Sequence, residues 1–139
     1  TYGGFVAWTK RTRETLTQGG DVYAPTAGYR WNLEDALALK QGNQEEALKA
    51  IKNWTIQCVP PRWTLRAALQ AEREGLDVVM QTHDGALLEV PEEDAEDAGR
   101  RIGQIMAETA AEDWMGGLPV PADVKQGGDW GHMKPLGGE

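Results

Sequence analysis

The chain of 139 residues is short of cysteine, of positive charge and of long apolar runs, and each shortage removes a class of protein. Cys58 is the single cysteine, so no disulfide framework can form within the chain. Lysine and arginine number 14 against 22 aspartates and glutamates, a formal charge of −8. That balance disfavours a self-sufficient nucleic-acid binder held by counterion release, so any nucleic-acid contact has to be local. No apolar span of bilayer length and no charged-then-apolar leader appear, and the expectation is an intracellular, cytoplasmic protein without a membrane partner. Internal repeats and low-complexity tracts are missing too.

Glycine and tryptophan are plentiful, at 17 and 6 residues. The glycines fall in pairs, such as Gly19-Gly20 and Gly127-Gly128, that punctuate the chain. The length suits one modest domain with a real core, so residues 1–139 are expected to form a single unit. Phe5, Trp8, Thr12 and Leu16 recur at helical spacing before Gly19. "DVYAPTAGYRW" reads as a short hairpin turning at Pro25 to Gly28. Asn32 and Asn43 are N-cap candidates for two further helices, each with acids in its first turn. Pro60-Pro61 must interrupt or restart helical hydrogen bonding, after which Trp63, Ala67 and Leu69 suggest an apolar face that ends at Gly75. Val78 to Met80 and Ala86 to Val90 favour two strands of a hairpin. Pro91 and its following acids open the clearest helix, with the stripe Ala95, Ala98, Ile102, Ile105, Met106 and Thr109. A strand is expected around Ala122 to Lys125, then a tail, "GHMKPLGGE". The class expected is α+β.

Within "VVMQTHDGALLEVP" the apolar strands bracket His83 and Asp84. A tight turn would present both to a cleft, and a carboxylate there can bind a hard cation such as Mg²⁺, which takes oxygen ligands. On residue types alone "HDG" reads first as a turn, since Asp-Gly is among the commonest hairpin turns. Asn53 and Gln57 lie four apart, on one face of a helix, where amides can both donate and accept. Helix capping or bridging is the ordinary alternative for such amides, and a solvated face is the ordinary one for Lys10, Arg11 and Arg13.

The longer text carries more. "QTHDGALLEVPEEDAEDAGRRIGQIM" resembles the last catalytic motif of family A DNA polymerases, the polymerase I type: a strand delivering His-Asp-Glu at a turn, then "EVP" and a long helix of acidic start. "NWTIQ" is similar to the family's Asn-x-x-x-Gln pair. "YGGFVAWTKRTRETLTQGGDVYAPTAGYRW" looks like its Tyr-Pro-Gly helix, short strand and Gly-Arg-Arg turn. "LPVPADVKQGGDWGHMK" looks like its closing strand and Gly-x-x-Trp ending, so order and approximate spacing agree over nearly the whole chain. The resemblance implies an α+β palm portion in which a hairpin with the His-Asp motif and a closing strand form an antiparallel sheet backed by helices. It implies Asp84 as a ligand of Mg²⁺ in a two-metal site, and His83 at the primer terminus. Asn53 and Gln57 would sit on the minor groove, where acceptors are common to all base pairs. Arg30 would meet template or primer backbone, with Lys10 and Arg13 as further phosphate contacts. Primer-template DNA and deoxynucleoside triphosphate are the implied ligands.

Three departures bear on this. Gly85 stands where the family has glutamate, and "CVPPRW" replaces a run of small residues. The fingers helix, the thumb and the strand with the first palm aspartate have no counterpart in the sequence. The chain is therefore expected to be inactive alone. It would be either an excised piece or the smaller subunit of a split, phage-like polymerase working in a host cytoplasm, with the remaining polymerase part as its partner. A catalytically degenerate subunit that docks in a replication complex is the alternative, and an unrelated acidic α+β domain using "HDG" only as a turn is a third.

Overall fold

The computed structural model describes residues 3–24, 28–113, 117 and 120–136, which form five α-helices and six short strands among them. The class is α+β, with small antiparallel sheets beside predominant helix. Contacts divide the chain into two compact units, Thr1–Val59 and Pro60–Glu139. No helix among the described residues is long and apolar enough to cross a membrane.

The first unit holds α1 (Gly3–Thr17), β1 (Val22–Tyr23), β2 (Arg30–Trp31), α2 (Leu33–Leu39) and α3 (Gln44–Gln57). Beyond α1 the chain turns at Gly19, whose φ of +78° is open to glycine without a Cβ clash. β1 pairs antiparallel with β2, Val22 opposite Trp31 and Tyr23 opposite Arg30. Residues 25–27 of the expected turn lie outside the described residues. Both asparagine caps form: Asn32 Oδ1 accepts from the Asp35 amide at 2.8 Å and Asn43 Oδ1 from the Glu46 amide at 3.2 Å. Each such cap contributes about 1 kcal/mol. Leu16, Ala36, Ala47, Leu48 and Ile51 make the core, edged by Trp31 and Trp54 with ring centroids 4.8 Å apart. The inward stripe of α1 stops short of its expected start. Thr12 and Leu16 are buried while Phe5 is 57% exposed, because the core cluster takes only Leu16 from this helix.

The second unit begins at α4 (Pro60–Arg73) and continues through β3 (Val78–Gln81), β4 (Ala86–Leu88), a 3₁₀ turn (Glu92–Asp94) and α5 (Ala95–Asp113). It closes with β5 (Lys125–Gln126), a second 3₁₀ turn (Trp130–His132) and β6 (Lys134–Pro135). The double proline sits in the first turn of α4, where a missing N–H costs no helical bond. The buried face of α4 is Thr64, Ala67, Ala68 and Ala71, and Leu69 lies outside it, half exposed. That corrects the expected face. The branched side chains Ile102 and Ile105 of α5 fill the gap, so small residues must face them for the helices to approach. α5 follows its 3-4 stripe, with Ala98, Ile102 and Ile105 buried.

A second face of α5 carries Gly99 and Gly103, one turn apart. A Cβ on Gly103 would come within 2.8 Å of Val124 Cγ2, and one on Gly99 within 3.1 Å of Leu136 and 3.3 Å of Val124. The closing segment therefore packs on glycine, while Val78 and Leu88 of the hairpin pack against the cluster with Ile102 and Ile105. This separation explains a difference from expectation. β3 pairs with β4, and β5 pairs with β6 in a ladder of its own, so the hairpin and the closing strand do not share a sheet among the described residues. The strand expected at Ala122 to Lys125 forms at Lys125–Gln126, and part of the expected tail supplies β6.

Arg101 of α5 clamps Glu74 through two contacts, Nε to Oε2 at 2.5 Å and Nη2 to Oε1 at 2.6 Å, and Gln70 Nε2 donates to Glu74 Oε1 at 2.8 Å. The guanidinium, helped by the amide, holds the Glu74 carboxyl down from 4.5 to about 2. Because the folded value is depressed, the stabilisation is whole above pH 4.5 and is lost as pH falls through about 2. The stability difference between wild type and Glu74→Gln should shrink across that window, read by denaturant unfolding at stepped pH; a constant difference would contradict the clamp. Gly103→Leu introduces a good helix former, yet should destabilise by about 1–3 kcal/mol because it displaces Val124. Thermal unfolding checks this, and an unchanged midpoint would remove the glycine contact from the account.

Candidate functional site

The β3–β4 hairpin pairs Val78 with Leu88, Met80 with Leu87 and Gln81 with Ala86, with an irregularity between Val78 and Met80. A bulge there raises the local twist. The hairpin is tied to α4 at both ends of β3: the Val78 amide donates to Glu72 Oε1 at 2.8 Å, and Gln81 Nε2 donates to the Pro61 carbonyl at 3.1 Å. Its base is thus anchored by packing, and β3, the strand beside α4, by hydrogen bonds as well. At the tip the Thr82 amide donates to the Gly85 carbonyl at 2.8 Å, and Thr82 Oγ1 donates to the same oxygen at 3.2 Å. His83 and Asp84 are the two residues between, and both are exposed.

Neither His83 nor Asp84 has a positive φ, so the turn is not of the mirror-image type that favours Asp-Gly. Gly85 lies outside the left-handed region as well, and a Cβ there would meet only Thr82 Oγ1, at 3.0 Å. The glycine is therefore a choice of side chain more than a demand of the backbone.

Asn53 and Gln57 stand exposed one turn apart on α3 of the first unit. Arg30 lies on β2, its Nη1 at 3.5 Å from Asp21 Oδ2, an oxygen that the Tyr23 hydroxyl also reaches at 3.5 Å. An exposed pair of this length contributes little and exchanges readily for another anion. Arg13 differs, since its guanidinium holds Glu45 through contacts of 2.5 and 3.1 Å. That hydrogen-bonded pairing lowers the Glu45 carboxyl below its usual range. Lys10 is exposed, 3.9 Å from Glu14. The first unit therefore carries Arg30, Asn53 and Gln57, and the second brings His83 and Asp84 together.

Among the described residues no three of His, Cys, Asp and Glu converge on one point, and Asp84 presents a single exposed carboxylate at the tip. Cys58 is half-buried, donates to the Thr55 carbonyl at 3.5 Å, and has its thiol pushed up by burial, the reverse of nucleophile activation. One pair escaped the sequence reading. His132 Nδ1 lies 2.8 Å from Asp129 Oδ1, which also accepts from the Gly131 amide at 2.8 Å. Asp129 caps the 3₁₀ turn, and the short side-chain acceptor before "WGH" was its signal.

No family model matches the chain, and no solved structure matches it. What the site can do rests on its own residues. Gly85→Glu should change stability by less than about 1 kcal/mol, since the position is near the surface and only the Thr82 hydroxyl must move. Urea unfolding measures this. A loss of several kcal/mol would mean that the turn requires glycine.

Proposed function

We propose that this chain is the C-terminal palm portion of a family A DNA polymerase, contributing a metal-binding carboxylate and primer-template contacts to nucleotidyl transfer. The observation that carries the reading is the exposed His83-Asp84 tip on an anchored antiparallel hairpin, followed by a 3₁₀ turn and the long helix α5. The order of elements agrees with the motif order described above. Exposed amides at Asn53 and Gln57, one turn apart, support it independently.

The chemistry follows from the groups. Asp84 presents carboxylate oxygens to a hard cation, and when bound, paired Mg²⁺ ions would stabilise the attacking and leaving oxygens of phosphoryl transfer. Asp84 would supply one carboxylate to hold these ions, and the remaining polymerase part would supply the other aspartate and the fingers that hold the deoxynucleoside triphosphate. His83, beside Asp84 at the exposed tip, would help to hold the same primer end. The Asn53 and Gln57 amides suit minor-groove acceptors shared by all base pairs, so they hold DNA without reading sequence. Arg30 can leave Asp21 for a phosphate at little cost. The −8 charge fits such a division, because the grip on DNA then belongs to the partner.

Gly85 favours a second reading, a degenerate subunit that keeps the fold for docking. The decisive experiment is primer extension by this chain with the larger polymerase part supplied. Asp84→Ala should abolish extension, Asp97→Ala on the exposed side of α5 should not, and the chain alone should extend nothing. Equal extension by the two variants removes Asp84 from the site, and extension by the chain alone ends the palm-portion reading. A large gain from Gly85→Glu identifies a weakened enzyme, whereas no metal-dependent extension in either form favours the docking subunit.

A further inference from the structure

A half-open cleft of about 370 Å³ runs along α1 and α3 of the first unit. Its floor is apolar, built on Leu16 and Leu48, which are almost wholly buried. Its upper wall is Phe5 and Val6, 57% and 64% exposed, and the Trp8 ring lies against Phe5 with centroids 5.7 Å apart. Single exposed apolar residues are ordinary, but neighbouring ones that open onto an apolar cleft mark an interaction surface. Every ionisable side chain that lines the cleft is cationic, namely Lys10, Arg13 and Lys52, on a chain whose net charge is −8. Glu45 holds Arg13 at 2.5 Å, whereas Lys10 has only a long, exposed contact of 3.9 Å with Glu14, which costs little to exchange for a ligand carboxylate, and Lys52 lines the cleft beside it.

We propose that this cleft docks an amphipathic helix of a partner protein, with an apolar stripe seated between α1 and α3 and glutamates or aspartates along its edges facing Lys10 and Lys52. Charge complementarity sets the sign, and the apolar floor sets the stripe. From Phe5 to Leu16 the wall rises by roughly 16 Å, the length of three helical turns, so the partner presents anchors at i, i+3 or i+4, and i+7. A nucleic acid would satisfy the lysines but leave the carbon floor without a matching surface. The inference uses the first unit alone and does not depend on the polymerase reading.

The test uses the full chain and a fluorescein-labelled peptide of about 15 residues, long enough for helix, with leucines at that spacing and glutamates flanking them. A counterpart carries lysine for every glutamate, and a third peptide is scrambled. Fluorescence anisotropy should show the glutamate peptide binding at least about tenfold more tightly than either control. The double variant Lys10→Glu/Lys52→Glu should reverse that preference. Phe5→Ser, at an exposed position that leaves the core intact, should weaken binding about tenfold, with circular dichroism checking the fold. Equal binding of the acidic and basic peptides overturns the proposal, as does a preference unmoved by the charge reversal. Concentration-dependent dimerisation of the chain that Phe5→Ser abolishes would assign the cleft to a second copy, and would likewise overturn it.

Discussion

In the second unit, the close contact of α4 with α5 positions everything else. Ala67 and Ala71 lie against Ile102 and Ile105, so one helix is small where the other is large. Burying each isoleucine contributes about 1.5–3 kcal/mol, provided that nothing bulky props the helices apart. The hairpin depends on that contact, because Val78 and Leu88 join the same cluster. α5 then serves a second neighbour through Gly99 and Gly103, where the closing segment comes closer than a Cβ would allow at Gly103 and leaves a tight fit for one at Gly99. One helix thus presents two faces of different size, and this keeps the two small ladders apart.

The hairpin tip inherits its rigidity from below. Two strands in isolation are marginal in water, so the ties from Val78 to Glu72 and from Gln81 to Pro61 matter more than the ladder itself. They explain how an exposed pair such as His83-Asp84 can be held on an anchored base. The clamp of Arg101 on Glu74 adds a link between the end of α4 and α5 at the surface. Arg13 with Glu45 does the same for α1 and α3 in the first unit. Such pairs also decide which cations can act elsewhere. Arg13 is held closely by Glu45 and Lys10 only loosely by Glu14, a distinction that composition hides.

Much was legible in advance where the determinants are local. Asn32 and Asn43 cap their helices because a short acceptor before an acidic turn satisfies an orphan amide wherever the chain lies. The proline pair starts α4 for an equally local reason, and the 3-4 stripe of α5 reads out as its buried face. Legibility failed where a neighbour made the choice. Phe5 and Leu69 have the chemistry of core residues, yet the core closes without them. Nothing in the local text says that α4 must offer alanine to α5. The function of Gly85 was likewise obscured, since Asp-Gly signals a mirror-image turn that the hairpin does not use.

For the candidate site, the residue order alone determined the candidates: a His-Asp pair at a turn, two amides one helical turn apart, an arginine at the end of a short hairpin. Spacing by itself puts only the two amides on one helical face; the choice of the others, and every role, is what the resemblance implies. Tertiary structure alone decided that the strand leading to the His-Asp tip is tied to α4, that Asp21 lies beside Arg30, and that an apolar cleft with cationic lining opens between α1 and α3. These depend on which surfaces meet. Packing joins residues far apart in the chain, and the volume left over by one helix is information that only the other helix carries.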